Sequence, residues 1–156
     1  MEPLNIAAEE FAALLLANTP FIDVRSEIEF AHGSIPGAVN LPILDTRERE
    51  QIGLCYKQNG QQAAIELGHT LVSGALKAQR IQRWCEFARS HPAAVLYCWR
   101  GGLRSRLTAQ WMAAAGQAAP VIEGGFKALR KCLLVELGAS LPEKPLYVIG
   151  GRTGSA

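Results

Sequence analysis

The chain has 156 residues, enough for one domain with a sizeable core and a short tail. Hydrophobic residues make up 49% and charged residues 19%, as expected of a water-soluble globular protein, and a net charge of +2 is too small to argue for nucleic-acid binding without a local patch. Cys55, Cys85, Cys98 and Cys132 are widely spaced, with no CxxC pair and no His/Cys cluster, which argues against a metal site and against a disulfide framework. No basic leader opens the chain and no apolar stretch reaches membrane-spanning length, so a cytoplasmic protein with reduced thiols and no membrane contact is expected.

In chain order, Ala7 to Ala17 reads as a helix with Phe11, Leu14 and Leu15 on its apolar stripe, ended by Asn18 and Pro20. Phe21-Ile22-Asp23-Val24 reads as a short buried strand. Ser26 followed by Glu29 has the pattern of a capping box on a brief helix. His32 to Gly37 is a turn cluster, and Ala38-Val39-Asn40-Leu41 a second strand that Pro42 stops. Residues 44–92 change character: charged and amide residues lead into apolar stripes at Ala64, Leu67, Leu71 and at Ile81, Trp84, Cys85, Ala88. Two or three helices are expected there, with Gly60 and Gly74 as punctuation. Pro120-Val121-Ile122 reads as a strand and Gly124-Gly125 as a turn. Phe126, Leu129, Leu133 and Leu137 then line a helix that Gly138 should end. Strands alternating with helices argue for an α/β fold whose parallel sheet is covered on both faces.

The stretch from Ala94 to Ser105 concentrates the chemistry. An apolar run reads as a strand, Cys98 stands where it stops, and Trp99, Arg100, Gly101, Gly102, Leu103, Arg104 and Ser105 follow. The glycines let the backbone curl so that N–H groups converge, and a helical pattern begins at once with Leu107 and Trp111. A strand, a tight loop and a helix N-terminus make an anion cradle, because unpaired N–H groups and the helix dipole both favour negative charge. A cysteine at its mouth, beside Arg100 and Arg104, should have a lowered pKa and act as a nucleophile toward an anionic group. In α/β sheets ligands gather at the carboxyl ends of strands, which is where Cys98 lies.

Phe21-Ile22-Asp23-Val24-Arg25-Ser26, followed by Glu29-Phe30-Ala31-His32-Gly33-Ser34-Ile35-Pro36-Gly37-Ala38-Val39-Asn40-Leu41-Pro42, resembles the paired signature of rhodanese domains, and the cysteine loop lies where that fold places its nucleophile. More narrowly, Cys55-Tyr56-Lys57-Gln58, the Leu67-Gly68-His69 region and the Cys98–Ser105 loop resemble the tRNA 2-selenouridine synthase family. The resemblance implies a rhodanese-like domain over 1–138, a central parallel sheet flanked by helices with a helical insertion at about 44–92. It also implies a linker and the truncated start of a P-loop nucleotide-binding domain over 139–156. Gly151, Arg152, Thr153, Gly154 and Ser155 open such a loop, but Ala156 stands where its second glycine belongs, so no nucleotide is expected to bind there.

The family acts on 2-thiouridine at the wobble position of tRNA, replacing sulfur with selenium from selenophosphate, and also geranylates that sulfur from geranyl diphosphate. The resemblance makes Cys98 the carrier of selenium or sulfur, with the loop N–H groups, Arg100 and Arg104 holding the anionic donor. No bound cofactor and no metal is implied. Asp23 and Arg25 could shape the mouth of the site or form a structural ion pair. Cys55 could resolve a persulfide on Cys98 or be an ordinary thiol.

Two alternatives stand beside this reading. Cys98 to Ser105 also fits the C-x5-R-[Ser/Thr] loop of cysteine phosphatases, although Tyr97 stands where such enzymes usually carry histidine. A non-catalytic rhodanese module serving for docking is the other. For tRNA, the basic residues Arg47, Arg49, Lys57, Arg80, Arg83, Arg89, Lys127, Arg130 and Lys131 are candidates. Arg80 and Arg83 beside Trp84 would make a backbone-contacting patch on the insertion.

Overall fold

Alternating strands and helices assemble into one parallel sheet covered on both faces, as the α/β pattern requires. The structure, a computed structural model, describes residues 3–140. Its strands are β1 (Asn5–Ile6), β2 (Phe21–Asp23), β3 (Val39–Asn40), β4 (Val95–Tyr97) and β5 (Val121–Ile122), in the order β1-β5-β4-β2-β3. Every pair is parallel, with Ile22 opposite Leu96 and Leu96 opposite Val121. The helices are α1 (Phe11–Leu16), α2 (Glu27–Ala31), α3 (Thr46–Leu71), α4 (Gly74–Ser90), α5 (Leu103–Ala114) and α6 (Gly125–Ser140).

Strand alternation sorts the core onto two faces. Phe21, Val95, Tyr97 and Ile122 pack with Phe11 of α1 and with Phe126 and Leu129 of α6. Ile22, Leu96, Cys98 and Val121 pack with Trp84, Cys85 and Ala88 of α4 and with Ala109 and Met112 of α5. β4 is buried on both faces, which explains its unbroken apolar run. After β3 the chain crosses back over β2, so β2 and β4 are neighbours at the point where the strand order reverses. The crevice outside their carboxyl ends is where such sheets bind ligands, and Cys98 follows β4 there.

Several sequence expectations are modified. The helix expected over Ala7 to Ala17 is a 3-10 turn at Ala8–Glu10 running into α1. Asn18 then takes a left-handed φ of 50°, a conformation asparagine tolerates, and ends the helix. β1 was not legible at all, because two residues carry no periodicity and their pairing with β5 is long-range. The strand expected over Ala38–Leu41 shortens to a two-residue edge. The insertion is helical as expected. Gly60, at φ 84° and ψ −176°, breaks the continuity of α3, and Gly74, at φ 52°, opens α4. Gly138 does not end the last helix, which runs on to Ser140 across the expected domain boundary; a solvent-facing glycine weakens a helix without stopping it. The expected P-loop residues Gly151 to Ser155 lie outside the described residues.

Candidate active site

The loop from Cys98 to Ser105 is shaped from behind by the β5–α6 turn. The N–H of Phe126 donates to the Cys98 carbonyl at 2.8 Å and that of Lys127 to the Trp99 carbonyl at 3.2 Å. In a trans peptide the C=O and the following N–H point opposite ways, so the Trp99 and Arg100 N–H groups are turned away from α6. Contact between the two turns is backbone against backbone. A Cβ on Gly101, whose φ is 64°, would lie 2.7 Å from the Ile122 carbonyl oxygen and 2.8 Å from the Gly124 nitrogen. A Cβ on Gly125, φ 59°, would collide with the Cys98 carbonyl oxygen. Gly102 then starts α5 with no side-chain cap, leaving the first N–H groups of that helix without intrahelical acceptors.

Cys98 lies at the floor of this cradle, 3% exposed, with its Sγ 3.2 Å from the Ser105 Oγ. The Ser105 hydroxyl also lies 3.2 Å from the Gly102 carbonyl, so it has one acceptor in the loop and one partner in the thiol. Trp99, Arg100 and Leu103 are exposed at the rim.

Arg104 points at α2. Its Nη1 and Nη2 donate to the two carboxylate oxygens of Glu29 at 2.6 and 3.1 Å. Glu29 also accepts from the Ser26 N–H and hydroxyl, completing the capping box expected from sequence. Burial works to raise the pKa of Glu29, but the Arg104 hydrogen bonds and charge and the Ser26 bonds outweigh it and hold the carboxyl at about 2. Burial likewise opposes the charge of Arg104, and Glu29 overcomes it, aided by Cys98 and Asp23, so the guanidinium stays charged. Glu29 is the site residue that sequence reading missed. Its role as a cap was legible, but its partner is 75 residues away.

Asp23 and Arg25 resolve as a structural pair. Both are 0% exposed, the Arg25 Nη2 lies 2.6 Å from the Asp23 Oδ2, and it also donates to the Gly33 carbonyl. The guanidinium sits 3.9 Å from the Phe126 ring centroid and 5.7 Å from those of Tyr97 and Trp99, while its Nη1 has no hydrogen-bond partner. Burial, together with the Asp23 carboxylate, pushes the Tyr97 phenol well above its ordinary range, so it stays protonated. Cys55 lies half-buried on α3 with the Asn59 amide 3.8 Å from its sulfur, and both it and Cys98 are free thiols. Among the described residues no cluster of His, Cys, Asp and Glu could hold a metal, and no helix is long and apolar enough to cross a membrane.

Between α3 and α5 lies a cavity of about 780 Å³ that reaches Leu103 and Arg104. Its walls are largely aliphatic, with Ile52, Ile65, Val72 and Leu107 among them, and Arg49 and Lys57 also line it. The patch expected at Arg80, Arg83 and Trp84 does not form. Trp84 is 1% exposed and donates its indole N–H to the Leu41 carbonyl, and Arg80 is held by Glu48 and the Ile43 carbonyl.

Residues 7–132 match the rhodanese-like domain family. The chain belongs to that family. Solved structures share its fold: the N-terminal domain of a putative ATP/GTP binding protein from Clostridium difficile 630 superposes with a TM-score of 0.68 at 29% identity, covering 83% of this chain and 98% of that one. A rhodanese-related protein from Thermoplasma volcanium, 17% identical, matches with a TM-score of 0.50 over 82% and 91% of the two chains. Within this rhodanese-like family the chain is most informatively compared with proteins called tRNA 2-selenouridine synthase. It is 55% identical to that of Cupriavidus necator over 94% of this chain and 40% of the relative. It is 50% identical to that of Bordetella bronchiseptica, again over 94% and 40%. The chain thus spans about 40% of the length of these curated relatives.

Proposed function

We propose that this rhodanese-like chain is a transferase module that takes up a chalcogen atom on Cys98 and serves tRNA 2-selenouridine synthesis. The observation that carries the reading is the cradle itself: a sulfur at its floor, a hydroxyl 3.2 Å away, and loop carbonyls tied back to α6 so that N–H groups face the other way. With thiosulfate as donor, the Cys98 thiolate attacks the outer sulfur, the sulfur–sulfur bond breaks, and sulfite leaves with the bonding pair. The result is a Cys98 persulfide stabilised by the loop N–H groups and the Ser105 hydroxyl.

The finer reading follows the similarity to tRNA 2-selenouridine synthases. Selenophosphate is the selenium donor, and the substrate is 2-thiouridine at the wobble position of tRNA. The C-x5-R loop, longer than sulfurtransferase rhodaneses usually need, suits a tetrahedral phosphoryl head. Arg104 contributes positive charge there while its hydrogen-bonding fork faces Glu29. Geranyl diphosphate as a co-substrate is supported by one feature, the aliphatic cavity that reaches Arg104. The site works in the cytoplasm, where its thiols stay reduced.

Intact-protein mass after incubation with thiosulfate tests the reading. The expected result is a gain of one chalcogen atom, reversed by reductant and absent in Cys98→Ser. No adduct, with Cys98-dependent release of phosphate from an aryl phosphate, would overturn it for the phosphatase that the same loop length admits. Neither reaction would overturn it for a docking module.

A further inference from the structure

We propose that the face formed by Trp99, Arg100 and the first turns of α6 seats a single-stranded RNA loop, with one nucleobase stacked on the Trp99 ring. The proposal rests on the tRNA reading above and adds where the RNA lies. Adjacent positions place Cys98 in the core on the α4–α5 side and Trp99 against Phe126 on the α6 side. The indole is held from within, its centroid 5.5 Å from that of Phe126 and 5.7 Å from the Arg25 guanidinium, yet 40% of the residue stays exposed. An aromatic ring fixed on one side and open on the other, next to the nucleophile, is a preorganised platform for an unstacked base.

Charge around the platform fits the same partner. The Lys127 N–H is bonded to the Trp99 carbonyl, so α6 begins beside the ring, and Lys131 lies one turn further along. Arg100, Lys127, Arg130 and Lys131 are exposed, and none forms an ion pair among the described residues. The carboxylates nearest in sequence, Glu123 before the glycine turn and Glu136 further along α6, are exposed and pair with none of them. The patch expected at Arg80 and Trp84 on the insertion lacks this combination, because Trp84 is in the core and Arg80 is paired. Unpaired cations beside an exposed aromatic are the elements with which proteins hold single strands: phosphate neutralisation for affinity and stacking for the base.

The test is binding of a short RNA hairpin with 2-thiouridine in its loop to the whole chain, followed by anisotropy at several salt concentrations. Trp99→Ala should weaken binding about tenfold or more, and Trp99→Phe should recover most of the loss. The Lys127→Glu/Lys131→Glu variant should weaken it and reduce the slope of log affinity against log salt by about 2. Arg83→Glu on the insertion should change nothing. Indole fluorescence should be quenched by the hairpin in the wild type and not in Trp99→Phe, a readout that serves even where Trp99→Ala fails to fold. Wild-type affinity in the Trp99 and Lys127/Lys131 variants, or loss in Arg83→Glu alone, overturns this surface and leaves the tRNA reading standing. No hairpin binding by the wild-type chain overturns both, while chalcogen loading of Cys98 is scored separately.

Discussion

At the residue scale the site depends on two short polar contacts. Ser105 lies 3.2 Å from the Cys98 sulfur and is itself buried, so no water replaces it readily. Removing one hydrogen bond to a thiolate or persulfide costs about 1.5 kcal/mol. Ser105→Ala is therefore expected to slow single-turnover sulfur loading about tenfold, measured by quenched-flow mass analysis, with little change in melting temperature. Glu29 predicts a pH dependence. Its carboxyl is held at about 2, below its usual 4.5, so the charged form is bound more tightly in the folded chain. The stabilisation is complete above about pH 4.5 and is lost as pH falls toward 2. Urea unfolding across that window should show stability dropping by on the order of 2 kcal/mol from this group, and Glu29→Gln should flatten that part of the profile. The glutamine variant should also be less stable at neutral pH, since Arg104 is left with a weaker partner.

At the scale of elements, the loop and the β5–α6 turn form one unit because their backbones meet at glycines. Gly125→Ala would combine a left-handed φ of 59° with a collision against the Cys98 carbonyl oxygen. A loss of more than about 2 kcal/mol in chemical denaturation is expected, together with loss of chalcogen loading, because the carbonyl that is displaced belongs to the nucleophile. Gly53 offers the contrast: it sits within α3 with nothing within 4 Å of a Cβ built there. Gly53→Ala should raise stability by about 0.5–1 kcal/mol through helix propensity alone. The sequence shows both positions simply as glycine. Their opposite outcomes depend on what faces them.

At the scale of the molecule, the helical insertion is bound to the sheet through Trp84, whose indole N–H reaches the Leu41 carbonyl just past β3. Trp84→Phe leaves that carbonyl unpaired and the site underfilled, and should cost about 1–3 kcal/mol in thermal or urea unfolding. The Trp84 indole N–H is bonded to the Leu41 carbonyl and not to the Cys98 loop, so sulfur loading at temperatures well below the transition should persist. The insertion also places α3 across from α5, so that both line the aliphatic cavity beside Arg104, which gives the region between residues 44 and 92 a physical relation to the active-site loop.

Patterns carried by neighbouring residues were legible in the sequence. Cys98 at a strand end, glycines opening its loop, the Ser26–Glu29 capping box, the breaks at Gly60 and Gly74, and the two faces of β4 all follow from local periodicity and backbone preference. Each is decided within a few residues, where steric and hydrogen-bonding rules apply without knowledge of the rest of the chain. The remainder was decided by tertiary structure. Pairing of β1 with β5, the Glu29–Arg104 ion pair, the contact of Gly101 with the β5–α6 turn, the pairing of Arg80 with Glu48, the burial of Trp84, and the cavity between α3 and α5 all join distant segments. Their partners are set by sheet order and helix packing, which no local pattern encodes.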